Sequence, residues 1–322
     1  MSVITKAVLR PDLGALAFEY SLGSANQGFI ADLVLPPFYT PLQTAQFPVI
    51  PAEALLEVAD TARGPRAAYA RGDWEWTFDD YRCSENGWEE AIDDVEAKIA
   101  RNYFDVETMT TYRAMSMILR SREKRVAAKV FSAAFTAHAV AAPWNDYANA
   151  DPRADVVAGF ESMRLSTGLE PNALILDKSI LRHVSMCDSV IERVKYANPD
   201  AIRGDLTIPQ LEAYFGVGVI PAGAVSNTAA KTKAKVIEPI WDTTQAMLAV
   251  VSSGGQDLRE PSLGRTFVWE EDCPDMVVVE TYREEQIRSD IVRARQNTDE
   301  CLQFTGAGYR LTGVTGEVPE LP

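Results

Sequence analysis

The segment "RGDWEWTFDDYRC", residues 71–83, places Trp74, Trp76 and Phe78 on every second position. Side chains of a β-strand point alternately to its two faces, so this spacing predicts a strand with one strongly apolar face. The preceding segment, "TARGPRAAYARG" at 61–72, has the Gly-Pro pair and small residues of a loop tip. Together they predict a long β-hairpin. A two-stranded hairpin alone is marginally stable in water, so its aromatic face needs a covering surface.

The composition predicts a folded, acidic protein. The chain has 322 residues, 47% of them hydrophobic, and a net charge of −15. A sizeable core can form. The absence of a Lys- or Arg-rich tract disfavours tight nucleic-acid binding, because that binding depends on neutralising phosphates. The four cysteines are far apart and lack CxxC spacing, which indicates a reducing cytoplasm. We expect no signal peptide and no membrane span, since no apolar run approaches about 18 residues.

The strongest helical pattern covers residues 89–141. Apolar residues recur there at three- and four-residue steps: Met109, Tyr112, Met115, Leu119, Val126 and Val130. Asp105 is a candidate N-cap. The pattern predicts a helix over about 105–137, which at ~1.5 Å per residue would span roughly 50 Å.

The second half of the chain mixes helices and strands. Asp151-Pro152 predicts a helix start and Gly168 its end. The segments 178–196 and 207–217 have helical patterns, whereas 171–177, 245–253, 265–271 and 275–282 are typical of strands. The segment "REEQIRSDIVRARQ", 283–296, is ambiguous, and its charge pattern mildly favours a helix. This order differs from the regular alternation of a doubly wound enzyme.

No constellation of residues predicts catalysis. His138 and His183 stand without an HExxH motif or zinc-site spacing, and no phosphate loop or nucleophile elbow occurs. "GVGVIPAG" has Pro221 where a dinucleotide-binding loop needs its third glycine. Acidic runs such as Glu270-Glu271-Asp272 can hold Mg²⁺ or Ca²⁺, but a solvated acidic face is the commoner explanation. We therefore expect no enzyme activity, no cofactor and no metal site.

The order of several segments resembles the tailed-bacteriophage major capsid proteins of the Hong Kong 97 type. The resemblance rests on "WEWTFDDYRCSENGWEEAIDD" (74–94), "LRSREKRVAAKVF" (119–131), the run from "WNDYANADP" to "ILRHV" (144–184), "LEAYFGVGVIPAGAVSNTA" (211–229) and "GAGYRLTGV" (306–314). It covers roughly residues 30–315. No single segment is specific, but their order and spacing make chance similarity improbable.

The resemblance implies an α+β fold with named parts. An N-terminal arm would occupy 1–35 and the extended hairpin, or E-loop, 36–85. A peripheral domain with the long spine helix would take 86–169, and a mixed α/β axial domain 170–265. Residues 266–322 would return to the strands of the peripheral domain. The family therefore implies a strand near 284–296, in conflict with the local pattern.

The resemblance also implies a function and partners. The chain would be a major capsid protein whose copies form pentamers and hexamers of an icosahedral shell around double-stranded DNA, without sequence-specific contact. A separate scaffolding protein and a portal would be partners, and a decoration protein is a further candidate. It would be found in the virion, assembled in the host bacterial cytoplasm. An encapsulin-like compartment and, less favoured, a soluble α/β metal-dependent enzyme remain alternatives.

A neighbouring subunit would supply the surface that the aromatic strand needs. It would bury Trp74, Trp76 and Phe78, each worth about 1.5–3 kcal/mol by area. Near the hairpin tip, three arginines without acids are candidates to dock on a neighbour's carboxylates: Arg63, Arg66 and Arg71, facing Glu89, Glu90, Asp93 and Asp94. The alternative is that these arginines are simply solvated at the tip.

Overall fold

A computed structural model shows the fold. It describes residues 8–9, 13, 28–49, 56, 58, 60–64, 68–69, 71–72, 77–100, 103–197, 206–230, 233–255, 257–258 and 260–316. The helices in these ranges are α1 Ala31–Val34, α2 Asp94–Ala100, α3 Val106–Val130, α4 Pro152–Thr167, α5 Lys178–Met186, α6 Asp188–Ala197 and α7 Ile208–Phe215. The mixture with strands confirms the predicted α+β class.

The strands of the described ranges form four sheets. They are β1 Val8–Leu9, β2 Pro37–Thr40, β3 Thr44–Val49, β4 Thr77–Arg82, β5 Ser84–Asp93, β6 Thr136–Ala139, β7 Ala173–Asp177, β8 Gly218–Ala222, β9 Val225–Asn227, β10 Ile237–Pro239, β11 Gln245–Ala249, β12 Gly264–Trp269, β13 Val278–Glu284, β14 Ser289–Leu302 and β15 Gly308–Thr312. A six-stranded sheet has the order β1-β13-β14-β12-β2, with β5 also paired to β14. A five-stranded sheet has the order β6-β15-β11-β7-β8, and β3-β4 and β9-β10 are two-stranded.

The long strand β14 is the centre of the six-stranded sheet. It pairs antiparallel with β13, β12 and β5, so its residues have partners on both edges. The helix that the charge pattern mildly favoured at 283–296 is therefore wrong, and the strand implied by the resemblance is right. A turn with Arg288 at φ 50° joins β13 to β14. Ile291, Val292 and Ala294 are buried, and this burial outweighs the local charge pattern.

The spine helix α3 begins where the sequence predicts and ends earlier. The Asp105 carboxylate accepts the backbone N–H of Glu107 at 3.2 Å, as an N-cap does. The helix ends at Val130 instead of 137, because Phe135 is buried in the core and β6 joins β15. Residues 89–93, included in the helical prediction, belong to strand β5 and pair with β14. Pairing with a long partner strand overrides helix propensity in both places.

The helix α3 joins two apolar clusters. Its first half contributes Ala114, Met115 and Ile118 to a cluster with Val292 and Ala294 of β14. Its second half contributes Val126, Ala127 and Val130 to a different cluster that includes Met247 and Ala249 of β11. One helix thus packs against both large sheets, which accounts for its 25 residues.

The five-stranded sheet and the helices around it follow the sequence closely. Strand β7 is buried throughout, and α4 begins after the Asp151 cap and ends at Gly168, whose φ is 69°. The predicted helix over 178–196 is divided into α5 and α6 at Cys187, whose backbone is extended and whose buried thiol donates to the Trp144 carbonyl at 3.3 Å. Residues 136–139 and 308–312 contribute β6 and β15 to this sheet.

All four cysteines are buried and free. Burial raises the pKa of the Cys83 and Cys187 thiols to about 11 and that of Cys273 to about 12. None of the helices in the described ranges combines the length and the apolar character that a membrane-spanning segment needs.

The close approach of β12 to β14 gives a test of the sheet. A Cβ on Gly264 would lie 2.2 Å from the Cys301 carbonyl oxygen, whereas one on Gly87 in β5 would meet nothing nearer than 3.4 Å. We expect Gly264→Ala to lower the free energy of unfolding by about 3 kcal/mol. The matched change Gly87→Ala should alter it by less than about 0.5 kcal/mol. Urea unfolding of both variants measures this, and equal midpoints would contradict the register.

The ion pair between α3 and β14 gives a pH-dependent test. Arg125 Nε and Nη2 donate to Glu300 Oε2 and Oε1 at 2.9 and 2.8 Å. Burial alone would raise the pKa of Glu300, but the hydrogen bonds and charge of Arg125 outweigh burial and hold that pKa below its ordinary value. The pair therefore stabilises the fold at neutral pH, and its contribution is lost as pH falls through this lowered pKa.

We expect Arg125→Met to cost about 3–5 kcal/mol at pH 7, because it leaves a buried carboxylate unpaired. In the variant the Glu300 pKa should rise, so protonation relieves the penalty and the difference from the unaltered chain shrinks at pH 4. Chemical denaturation at both pH values measures this difference. The control Arg164→Met breaks an exposed pair with Glu161 and should cost less than about 0.5 kcal/mol. A pH-independent difference for Arg125→Met would contradict the assignment.

Candidate subunit-contact surfaces

The stem of the predicted hairpin is present and fixed to the rest of the chain. Strands β3 and β4 pair antiparallel, with Phe47 opposite Asp79 and Pro48 opposite Phe78. The Tyr81 ring stacks on Phe267 of β12 at a centroid distance of 4.2 Å, and Phe47 lies 5.3 Å from the same ring. These contacts hold one face of the stem on the six-stranded sheet.

The opposite part of the stem has no cover within the described chain. Thr77, Phe78, Asp79 and Asp80 are exposed, and Phe78 retains 59% of its accessible surface. Trp74 and Trp76, which the sequence places on the same face as Phe78, lie outside the described residues. The described part of the aromatic strand therefore presents a large apolar side chain to solvent.

The predicted arginines lie in the segment that joins the two stem strands. Arg63 and Arg71 are exposed, and Arg66 lies outside the described residues. The Arg63 guanidinium lies 4.5 Å from the centre of the Tyr69 ring and donates to its hydroxyl at 3.3 Å. The Arg63 side chain therefore already has a partner in its own chain.

The four candidate carboxylates lie together at the end of β5 and the start of α2, and each has a partner in the same chain. Arg293 Nε lies 2.6 Å from Glu89 Oε1. Glu90 Oε1 accepts from the Trp88 indole at 2.6 Å and lies 3.2 Å from Arg113 Nε. The remaining two flank the β5–α2 junction, where Asp93 accepts backbone N–H groups of α2 and Asp94 binds Arg283 at 2.7 Å.

Arg113, Arg283 and Arg293 neutralise carboxylates at the end of β5 and the start of α2. Hydrogen bonds from Arg283 lower the pKa of Asp94, and the same contacts raise the pKa of Arg283. Sequence reasoning missed Arg113, Arg283 and Arg293. The signal was the two-residue spacing of Arg293 and Arg295, which becomes visible only once 289–302 is read as a strand opposite β5.

The other residues considered from sequence have ordinary surroundings. His138 is exposed in β6, and His183 Nδ1 lies 3.0 Å from the Tyr147 hydroxyl. Gly218–Ala222 of the glycine-rich segment is strand β8. Asp272 binds Arg295 at 2.7 Å and Asn297 at 3.0 Å. Among the residues that the structure describes, no group of three or more His, Cys, Asp or Glu side chains is placed to hold a metal ion.

The chain is similar in sequence to a curated phage protein. It is 27% identical over 172 residues to the major capsid protein of Burkholderia phage BcepMu, covering 52% of each. The chain thus matches only about half the length of that relative. No protein-family model matches the chain.

Solved structures share the fold over nearly the whole chain. A phage-related protein from Bordetella bronchiseptica RB50 has a TM-score of 0.70 at 21% identity, covering 96% of this chain and 98% of that one. The capsid of cyanophage P-SCSP1u has a TM-score of 0.55 at 13% identity, covering 87% and 86%. These likenesses confirm the resemblance inferred from the sequence. The chain has the α+β fold of phage capsid proteins of the Hong Kong 97 type.

Proposed function

We propose that the chain is a major capsid protein whose copies build the icosahedral shell of a tailed bacteriophage around double-stranded DNA. The observation that carries the proposal is the fold of solved phage capsids over 87–91% of the chain, together with a curated relative that is itself a major capsid protein. Closed symmetry lets modest interfaces, repeated many times, hold a large assembly together.

The exposed surface of the hairpin supports a protein that assembles with other copies over one that acts as a monomer. Its stem is bound to the six-stranded sheet by Phe47 and Tyr81, while Phe78 on the outer part remains bare. Exposed apolar surface on a short edge strand promotes association. A neighbouring subunit that covers Phe78, Trp74 and Trp76 would remove this cost, and we propose this contact between copies.

The contact between hairpin-tip arginines and carboxylates also stays a proposal, in a modified form. Glu89, Glu90 and Asp94 already bind arginines of their own chain. An incoming Arg66 or Arg71 would therefore join an existing ion pair as a second cation. Such a shared carboxylate adds less than a pair formed from two free charges, and its effect depends on salt.

The remaining partners follow from the proposed shell. Copies of the chain would form pentamers and hexamers, with a separate scaffolding protein and a portal as partners and a decoration protein as a further candidate. Assembly would take place in the host bacterial cytoplasm, and the finished protein would be part of the virion. Contact with DNA would lack sequence specificity, as the net charge of −15 supports. The division into arm, E-loop, peripheral and axial domains belongs to the same proposal.

Negative-stain microscopy of the expressed chain, with and without its scaffolding protein, tests the function. We expect closed shells whose yield rises steeply with protein concentration. A protein that stays monomeric at high concentration, with Trp74 and Trp76 buried inside the monomer, would contradict the proposal. A monomer with stoichiometric bound metal would instead support a metal-dependent enzyme. Shells that enclose a protein and no nucleic acid would support the encapsulin-like alternative.

Two phenylalanines on paired strands separate assembly from folding. We expect Phe78→Ser to leave the unfolding free energy within about 0.5 kcal/mol, because the side chain is largely exposed. The same change should sharply lower the yield of shells, because the neighbour then buries a hydroxyl in place of a ring. The matched variant Phe47→Ala removes a ring that is 1% exposed and should cost about 3–5 kcal/mol. Thermal unfolding and particle counts measure the two effects, and normal shells from Phe78→Ser would refute the buried contact.

A further inference from the structure

A groove runs along α3 between strand β5 and the β9–β10 hairpin. Its volume is about 1040 Å³. We call it the spine groove. Arg120 Nε donates to the Val225 carbonyl at 3.0 Å, so the hairpin is held to the helix and both walls are fixed.

The helical wall of the spine groove is cationic. Arg113, Arg120 and Lys124 lie on it, seven and four residues apart on one helix face, and none of the described lining residues is acidic. Arg113 Nε lies 3.2 Å from Glu90 Oε1, so its charge is already compensated. The described hydrogen bonds of Arg120 go instead to a serine hydroxyl and a backbone carbonyl, which are neutral. Arg120 and the exposed Lys124 therefore keep positive charge available for an anion.

The β9–β10 hairpin extends this positive surface. Its connecting segment "TAAKTKAKV", 228–236, has three lysines and no acid, in a chain with 46 acidic residues and a net charge of −15. Lys233 and Lys235 are exposed. Thr228 and Ile237, at the two ends of this connection, line the groove, so the lysines continue outward from its wall.

The remaining polar residues of the spine groove carry hydroxyl and amide groups. They include Asn86, Ser116, Ser121, Asn227 and Gln296. The Gln296 side chain on β14 is fully buried, and neither its Oε1 nor its Nε2 has a hydrogen-bond partner among the described residues. Buried amides are rarely left unpaired, so this part of the groove favours a polar occupant, in direct contact or through a bridging water.

This combination of side chains matches the backbone of DNA. Arg, Lys, Ser, Thr, Asn and Gln supply the hydrogen bonds to phosphate and sugar that position proteins on a duplex, and these contacts carry no sequence information. The cations also extend from the helix to the hairpin, as a row of phosphates does and a single free anion does not. Met117 and Ile237 are exposed apolar lining residues, so an acidic polypeptide is the competing occupant.

We propose that the spine groove and the lysines of the β9–β10 hairpin contact the phosphate backbone of duplex DNA. The proposal rests on the proposed shell function and adds a surface to it, because this side of each copy would face the enclosed genome. The net charge of −15 opposes DNA elsewhere on the chain. The contact of one copy is therefore weak, and it becomes effective through repetition over the shell.

Duplex binding by the full chain at several salt concentrations tests the contact. The anisotropy of a fluorescent duplex of about 20 base pairs measures the association constant. We expect its logarithm to fall with the logarithm of salt concentration with a slope of about −3 to −4. Each neutralised phosphate contributes about 0.9, and the four available cations are Arg120, Lys124, Lys233 and Lys235. Duplexes of unrelated sequence should bind equally.

Neutral variants show which residues make the contact. We expect Lys124→Gln on the helix and Lys233→Gln on the hairpin each to reduce the magnitude of the slope by about 0.9. Each should weaken binding about three- to tenfold at about 0.1 M salt. The matched control Arg182→Gln, at an exposed position of α5 outside the groove, should change neither quantity. A slope for Lys124→Gln equal to that of the unaltered chain would refute the role of the groove.

Competition separates the possible occupants. Inorganic phosphate at constant ionic strength should not displace the duplex, and displacement would assign the surface to a free anion. Unlabelled duplex should compete better than polyglutamate of equal total charge. Stronger competition by polyglutamate, or no duplex binding by the unaltered chain at low salt, would overturn the proposal.

Lysine footprinting places the contact within the shell. Shells filled with DNA and shells emptied of it are treated with a small acylating reagent, and modified lysines are identified by mass spectrometry. We expect Lys124 and Lys233 to be modified at least threefold less in filled shells, and Lys98, exposed on α2 outside the groove, to be modified equally in both. Equal modification of all three would overturn this contact and leave the shell function intact. Failure of the chain to form shells would remove that function, whereas the salt dependence would still report on the groove.

Discussion

The described fold depends on a buried carboxylate in the middle of the spine helix. Glu123 is 1% exposed, and its oxygens accept the backbone N–H groups of Ile30 and Ala31 at 2.8 and 3.1 Å and the Trp241 indole at 2.7 Å. Burial raises its pKa, and the three donors oppose that rise. A buried carboxylate is tolerated only with such donors. The beginning of α1, the spine helix and the segment before β11 therefore meet at one side chain.

The position of this junction explains how one helix serves two sheets. Glu123 and the neighbouring Arg122, which binds Asp32, lie between the half of α3 that packs on β14 and the half that packs on β11. An apolar residue here would allow the helix to slide along either sheet. The polar pair fixes its axial position, because any shift would leave buried hydrogen-bonding groups without partners. Arg113, Arg120 and Lys124 lie on this same helix, so the junction positions them as well.

Local sequence signals predicted the structure correctly where neighbouring residues alone determine the backbone conformation. Asp105, Asp151 and Gly168 mark helix ends because a cap or a left-handed φ needs only neighbouring residues. Local sequence patterns gave the wrong secondary structure where pairing with a segment far away in the sequence determines it. Residues 289–302 and 89–93 are strands because they pair with each other, and this pairing cannot be inferred from either segment alone.

The candidate contact surface also has features that could be predicted from the sequence and features that could not. The apolar face of the aromatic strand was visible from its two-residue spacing, and the described part of that strand is indeed bare at Phe78. The arginines that neutralise Glu89 and Asp94 could not be identified from the sequence. Arg293 and Arg283 lie about two hundred residues away in the chain and contact these carboxylates only in the folded sheet. Likewise, Arg113, Arg120 and Lys124 become a cationic groove only when β5 and β9–β10 form its other walls.

The distribution of charge bears on how copies would associate. Three acids near the six-stranded sheet, Glu89, Glu280 and Asp272, are compensated by arginines of β14, so they add little repulsion between neighbours. Arg113, Arg120 and Lys124 of α3 line one groove and give it positive charge, although Arg113 Nε already lies 3.2 Å from Glu90 Oε1. Two unlike surfaces on one chain, such as the hairpin-tip arginines and the carboxylates at the end of β5, attract across copies, whereas identical faces repel. Such a contact is heterologous, and heterologous contacts form rings when the rotation between copies closes. The same charge separation would therefore set both the direction in which copies join and the salt dependence of their assembly.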